Sequence, residues 1–571
     1  MSAGHEFLWE IGCEEIPARM LADAIVTLRE RMGAALSEAN IDFVAIESHG
    51  TPRRLLVCVS GMAASQQERE ELVRGPSLDR AFDAHGNPTA AALGFARSHH
   101  VAVTELEQLE IGKGRYLVRR QRLAGQPTVQ ILPQLMTTLL KQFPWPKSMR
   151  WGSGSSRFVR PIQRIVALFD GQVVPFATAE GIVAEGRVVG HRFMAPTPQA
   201  VTSMADYRRL LRANRVILDL EERCQIIRTM AQQQASQIGG RAVIDEALLA
   251  ENGALVEWPV ALLGQFPSHY LDIPPEVLIT SMKAHQKYFA VIDNEGRLLP
   301  HFVAIANMEL ADPSVLVRGY ERVLRARLAD AAFYWQEDRR VELRQRLTSL
   351  EQVVFQNRLG SMRQKAERLA RLTAIIAHGL GEDAATAEAA EQAGRYAKCD
   401  LVTGMVAEFP ELQGIMGGYY YPLVDDSDRG RLVARAIGEH YQPQGASDSL
   451  PTSPLGAMLA LADRLDTLVG YFGIGLVPTG AKDPYALRRA ALAVIRILMG
   501  RSWYLSLRSL LERAYGLYDG GVFGGQDQEA CLAALLQFFD GRLASHLKSG
   551  GFSYDLVEAV QALGLDDVVD V

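Results

Sequence analysis

Three steps along the chain carry the residue types from which metal chemistry is built. Lys398-Cys399-Asp400 lies at a predicted helix start, Glu439-His440-Tyr441-Gln442-Pro443 follows, and Ala462-Asp463-Arg464-Leu465-Asp466 comes next. Imidazole and carboxylate groups brought together from several helices can hold a divalent ion, and a bound ion turns water into a nucleophile for phosphoester cleavage. The working set would be Asp400, His440 and Asp463 or Asp466, which is one or two ligands short of a filled site. The plainer reading is that these side chains pack and cap helices.

Other chemistry has less support. The sequence holds no GxxxxGK[ST] phosphate loop, no HExxH and no GxSxG. Gly152-Ser153-Gly154 is a glycine-rich element without a strand-turn-helix context, so it reads as a loop. His99-His100 is an isolated surface pair. Cys13, Cys58, Cys224, Cys399 and Cys531 are too far apart for a CxxC pair and read as free thiols of a reducing compartment. In their order on helices, the three acidic and histidine steps resemble an HD-type phosphohydrolase domain. That resemblance requires a His-Asp pair at the first step. Here Cys399 stands where the histidine would be, and His378 is the nearby upstream candidate.

The elements that would position these groups fall into two halves. Up to about residue 317 the pattern is α+β. Phe7 to Gly12 and Arg53 to Val59 read as strands, and Ala18 to Ala39 and Met204 to Gln237 as helices. Ile162 to Phe169 with Val173-Val174, and Tyr288 to Ile292 with Phe302 to Ala306, read as hairpins. Residues 318–500 read as a helical, HD-like domain entered by a basic segment. Leu343, Leu347, Leu350 and Val354 make one apolar stripe, and helices are expected over Met362 to Leu380, Ala384 to Ala397, Leu401 to Phe409, Leu455 to Val469 and Pro484 to Met499. Residues 501–571 read as further helix. With 571 residues the chain should hold about three to five domains.

Composition narrows the class further. Hydrophobic residues make up 48% and charged residues 22%, the balance of an ordinary globular chain. No window approaches a membrane span, and Met1 to Phe7 lacks the basic start of a signal peptide, so the expected location is cytoplasmic. The net charge is −6, but Arg318 to Arg371 holds thirteen Lys or Arg against seven Asp or Glu. A basic segment on an acidic body suits local RNA contact, or simply a solvated helix face.

A series of short runs then matches one family in order. They include Leu8-Trp9-Glu10-Ile11-Gly12-Cys13-Glu14-Glu15-Ile16-Pro17-Ala18, Thr51-Pro52-Arg53-Arg54-Leu55 and Lys147-Ser148-Met149-Arg150-Trp151-Gly152. Gly190-His191-Arg192-Phe193, Leu255-Val256-Glu257-Trp258-Pro259 and Met282-Lys283-Ala284-His285-Gln286-Lys287-Tyr288-Phe289 continue it. So do Glu408-Phe409-Pro410-Glu411-Leu412-Gln413-Gly414 and Lys482-Asp483-Pro484-Tyr485-Ala486-Leu487-Arg488-Arg489. Together they resemble the beta subunit of bacterial glycyl-tRNA synthetase. The resemblance implies a heterotetramer of two alpha and two beta subunits. The alpha subunit would bind glycine and ATP (with Mg), while the beta chain binds tRNA(Gly), has no aminoacylation site and carries no cofactor of its own. It also implies an editing-type, tRNA-binding first part, an HD-like domain and a helical anticodon-binding domain. Leu536 to Gly551 looks like the first helix and turn of that last domain, which in the family continues well beyond the position of Val571. No motif of a class II synthetase core can be placed in the chain, as a partner subunit would require.

For RNA contact the candidates are Arg53, Arg54, Lys283, Lys287, Arg488 and Arg489. They are adjacent or i,i+4 basic groups that suit phosphate oxygens. Against each stands the reading that it caps a helix or pairs with a carboxylate. The function expected is therefore a tRNA-binding ligase subunit, with a metal-dependent phosphohydrolase as the alternative.

Overall fold

A computed structural model describes residues 4–569 except 84, 113, 153, 479–482 and 562–566. Ser153 and Lys482, both quoted above, thus lie outside the described residues. The chain forms two compact units: Met1–Gly264 with Lys287–Tyr320, and Gln265–Gln286 with Glu321–Val571.

In the first unit the strand His5–Cys13 sits centrally in a six-stranded sheet, between Arg54–Met62 and Ile162–Phe169. Both pairings are antiparallel, with Trp9 opposite Val57 on one side and Ala167 on the other. Strand alternation sends Phe7, Trp9 and Ile11 to one face, where they meet Leu21, Leu28 and Met32 of the helix Ala18–Glu38. Leu8 goes to the opposite face with Leu56, Cys58 and the helix Met204–Ala213. Both faces are covered, which is why the run reads as unbroken apolar sequence. Its one interruption is Glu10, a carboxylate placed in the core. The expected hairpin after Ile162–Phe169 is present, with Gln172–Val173 as its return.

A second sheet runs in the order Arg241–Ala242, Phe289–Ile292, Leu298–Ala306, Val260–Gln265. Its apolar face packs on Leu220–Ser236 and Glu246–Leu255. The Asp293–Gly296 turn forms as expected, with the Asp293 carboxylate accepting the backbone N–H groups of Glu295 and Arg297. A third sheet of Arg69–Ser77, Gly114–Leu123 and Glu107–Ile111 was not foreseen, because its strands are so rich in Arg and Glu that they lack an apolar alternation. The single helix expected over Met204 to Gln237 is two, Met204–Ala213 and Leu220–Ser236. Arg215 turns left-handed at φ 62, and the Asp219 carboxylate caps the second helix by accepting from the Glu222 N–H.

The second unit is helical around Pro454–Gly473. Every residue of that helix from Leu455 onward is buried except Thr467, the mark of a helix surrounded by others. Met362–Gly379, Ala384–Tyr396, Asp428–Glu439, Leu487–Arg501, Leu507–Tyr515 and Gln528–Ser549 pack around it. Three expectations change. The stripe from Leu343 ends early: the helix Leu343–Ser349 gives way to a 3-10 turn, and Val354 enters a short strand, 61% exposed. Leu401 to Phe409 is a 3-10 turn, Cys399–Val402, and a separate helix Gly404–Glu408, because the Thr403 hydroxyl caps the Val406 N–H. Pro484 does not begin its helix. Ala486 is left-handed, and Asp483 accepts from the N–H groups of Leu487 and Arg488, so the helix starts at Leu487. The helix expected to begin at Leu536 begins at Gln528 and ends at Ser549, and the expected turn follows at Gly550 and Gly551.

Candidate functional site

The central helix of the second unit carries Asp463 and Asp466 into the interior, where an ionised carboxylate must be compensated. The compensation is cationic side chains. Asp463 pairs with the ammonium groups of Lys365 and Lys398, each at 2.8 Å. Lys365 also reaches Asp466 at 2.9 Å, and Arg368 holds Asp466 at 2.5 Å. Lys365 and Arg368 stand three residues apart on Met362–Gly379, hence on one face. That helix is fixed at its start by a capping box between Ser361 and Gln364. Tyr518 lies against the Arg368 guanidinium, 3.9 Å from ring centre, and donates its hydroxyl to the Asp466 carbonyl at 2.8 Å.

His440 is wholly enclosed in the same cluster. Its Nδ1–H donates to the Ile437 carbonyl at 2.6 Å, and its Nε2 accepts from Lys398 at 2.8 Å. Burial, reinforced by Lys398, holds its pKa well below the usual imidazole value, so the ring is neutral. Burial opposes ionisation of Asp463, but Lys365 and Lys398 overcome it and hold its pKa well below the carboxylate range. Arg464 donates to the carbonyls of His440, Tyr441 and Pro443 at 2.7, 2.6 and 3.1 Å. Asp400 uses Oδ2 to accept the N–H groups of Gly414 and Gly417 at 2.6 and 2.9 Å, and burial pushes its pKa up to about 6. The Cys399 thiol is pushed up to about 12 by burial.

The five positions of the HD-type reading therefore gather near one another, but they do not compose a metal site. An ammonium group lies 2.8 Å from each oxygen of Asp463, that of Lys398 donating to Oδ2 and that of Lys365 ion-paired to Oδ1, and Lys398 also takes the open nitrogen of His440. Asp400 serves backbone amides, and Cys399 is a protonated thiol. Among the described residues no group of three or more His, Cys, Asp or Glu could hold a metal ion. Lys365 is not among the candidates drawn from the sequence, and its signal is a basic i,i+3 pair with Arg368 on the buried face of an amphipathic helix.

A second buried ionic cluster lies in the first unit and joins the motif runs there. Arg54 pairs with Glu257 at 3.1 Å and Glu10 at 3.6 Å, and donates to the Val189 carbonyl at 3.1 Å. Thr51 donates its hydroxyl to Glu257 at 2.6 Å, and Tyr207 donates to Glu10. Arg223 donates to the carbonyls of Gly50, Ile217 and Gly253, and burial lowers it to about 10. Of the proposed RNA contacts, Arg54 is thus corrected: its guanidinium is buried and committed to two carboxylates. Arg53 is half-buried and bonded to Glu14 at 2.7 Å. Lys287 pairs with Glu251 at 3.0 Å. Lys283 is half-buried in the π-helical turn Met282–Gln286. Arg488 is half-buried and Arg489 exposed on the first turn of Leu487–Arg501.

Comparison with known proteins agrees with the ordered runs. The glycyl-tRNA synthetase beta subunit family model matches residues 7–562. The glycine–tRNA ligase beta subunit of Magnetococcus marinus is 52% identical over 99% of this chain and 80% of its own length. Those of Syntrophotalea carbinolica and Trichlorobacter lovleyi are 43% and 44% identical, each over 99% of this chain and 81% of their own length. The chain belongs to the glycyl-tRNA synthetase beta subunit family.

Proposed function

We propose that this chain is the tRNA-binding partner in a heteromeric glycine–tRNA ligase. It binds tRNA(Gly) and supports ATP-dependent glycylation in an assembly with two alpha and two beta subunits. Glycine and ATP (with Mg) bind to alpha. The observation that carries this reading is the family match from residue 7 to residue 562. The exposed arginines Arg318, Arg322, Arg325 and Arg327 of the helix Ser314–Arg339 support RNA contact, since guanidinium groups on one solvated element suit phosphates. The phosphohydrolase alternative is disfavoured by the lysine pairing of Asp463 and His440.

The test is reconstitution. The chain is expected to co-purify with an alpha subunit and the pair to charge tRNA(Gly), whereas the chain alone should give no glycine-dependent pyrophosphate exchange. Exchange by the isolated chain would overturn the division of labour.

A further inference from the structure

Beside the lysine-paired cluster the second unit has an open recess of about 360 Å³, lined by Gln413, Tyr441, Gln444, Asp463, Tyr485 and Arg489 among others. That volume falls at the lower end of the range for small-molecule sites, about 300–1,000 Å³. We propose that this recess binds a nucleotide, with its base against Tyr485 and its phosphate at Arg489. The inference rests on the tRNA-binding reading only where the nucleotide belongs to RNA.

Three features lead to it. The first is charge. The charged side chains among the described lining residues are Arg464 and Arg489 against Asp463, two cations to one carboxylate. Asp463, the acidic side chain among the described lining residues, has an ammonium group 2.8 Å from each of its oxygens and does not repel a phosphate as a bare carboxylate would. The second is Arg489, exposed at the recess and without an ion-pair partner among the described residues. A lone guanidinium in a lining with more cations than carboxylates favours an anion, and its planar fork suits a phosphate. The third is the aromatic wall. Tyr485 packs on Tyr471 with ring centres 4.7 Å apart and remains 45% exposed, while Tyr441 is held by the Lys398 ammonium 3.9 Å from its ring centre. A ring supported from behind and open in front, as Tyr485 is, makes a stacking platform for a base, and the Gln413 and Gln444 amides supply donors and acceptors for a base edge. With ammonium groups where a metal would be needed, the recess holds the phosphoester and does not cleave it.

The test uses the full chain with three probes: AMP, a labelled single-stranded oligoribonucleotide of five residues, and tRNA(Gly). The variants are Arg489→Glu and Tyr485→Ala, both at exposed positions, with thermal melting to show that each is folded. Wild type is expected to bind the oligoribonucleotide without cleaving it, with each variant weakening it about tenfold or more and salt weakening wild type more than Arg489→Glu. Binding of AMP with no binding of the oligoribonucleotide would support the site and make free nucleotides its source. If neither AMP nor the oligoribonucleotide binds wild type, or the variants bind both like wild type, the proposal is overturned. Absent tRNA(Gly) binding by wild type would instead count against the broader reading, while the AMP arm still decides this one.

Discussion

Replacing Lys398 by methionine keeps the length of the side chain and removes its charge. In the folded chain that ammonium lies 2.8 Å from Asp463 and 2.8 Å from His440 Nε2. Its loss leaves Asp463 with Lys365 alone and leaves the imidazole nitrogen without a donor. Breaking one side of a buried pair costs about 3–5 kcal/mol, and the lower end applies because Lys365 remains. Within a helical unit of this size, about 3 kcal/mol lowers the melting midpoint by about 6–12 °C. The assay is thermal unfolding followed by circular dichroism at pH 7.5, with Asp463→Asn and the double variant completing a cycle. Asp463→Asn relieves the charge left behind in Lys398→Met, so the double variant should be destabilised less than the sum of the two by roughly 1–3 kcal/mol. Additive losses, or a Lys398→Met variant that melts with wild type, would refute the claim that the ammonium stands in for a metal.

Further expectations follow from the same geometry. Burial raises the Asp400 pKa to about 6, so its contribution is fully present below the ordinary carboxylate value and is lost as pH rises through 6; Asp400→Asn should flatten that dependence in pH-dependent melting, by about 2–3 kcal/mol between pH 4 and pH 7.5. Arg54→Ala strands Glu10 and Glu257 inside the first unit and should cost about 3–5 kcal/mol in denaturant unfolding, and Arg54→Lys should rescue little of it because a point charge cannot serve Glu257 and the Val189 carbonyl together. All five cysteines are buried, with Cys13, Cys58 and Cys399 pushed up to about 12, so a thiol reagent at pH 8 should label none in the native chain and all five in urea. Replacing Arg322 and Arg325 together by glutamine should lower the salt slope of tRNA binding by about one to two units, read from affinity at several salt concentrations.

Much of the fold could be read from periodicity, and the misreadings share a physical origin. The strand His5–Cys13, the helix Ala18–Glu38 and both hairpins announce themselves because their faces differ in polarity. The misread boundaries, at Asn214 to Asp219, Thr403 and Pro484, are set by capping side chains and left-handed residues whose effect outweighs a continuous apolar pattern. The site was half legible. Cys399, Asp400, His440, Asp463 and Asp466 could be placed together from their order on helices, but their partners could not. A lysine in sequence looks like a solvated lysine, and only packing shows that Lys365 and Lys398 lie inside. Arg54 misled for the same reason, since its carboxylate partners Glu10 and Glu257 lie far away along the chain.

A cation carried on a side chain cannot diffuse away from its site. The second unit keeps its two central cationic groups, Lys365 and Lys398, whatever the concentration of free metal ions, although burial lowers the Lys398 pKa against the pull of Asp463. A site filled by a free divalent ion would be stabilised in proportion to the logarithm of that ion's concentration and would loosen under chelation or scarcity. Here that linkage is absent by covalent attachment. The architecture of this unit is thereby insulated from metal starvation and from competition among metals, and EDTA should leave its melting curve where it was.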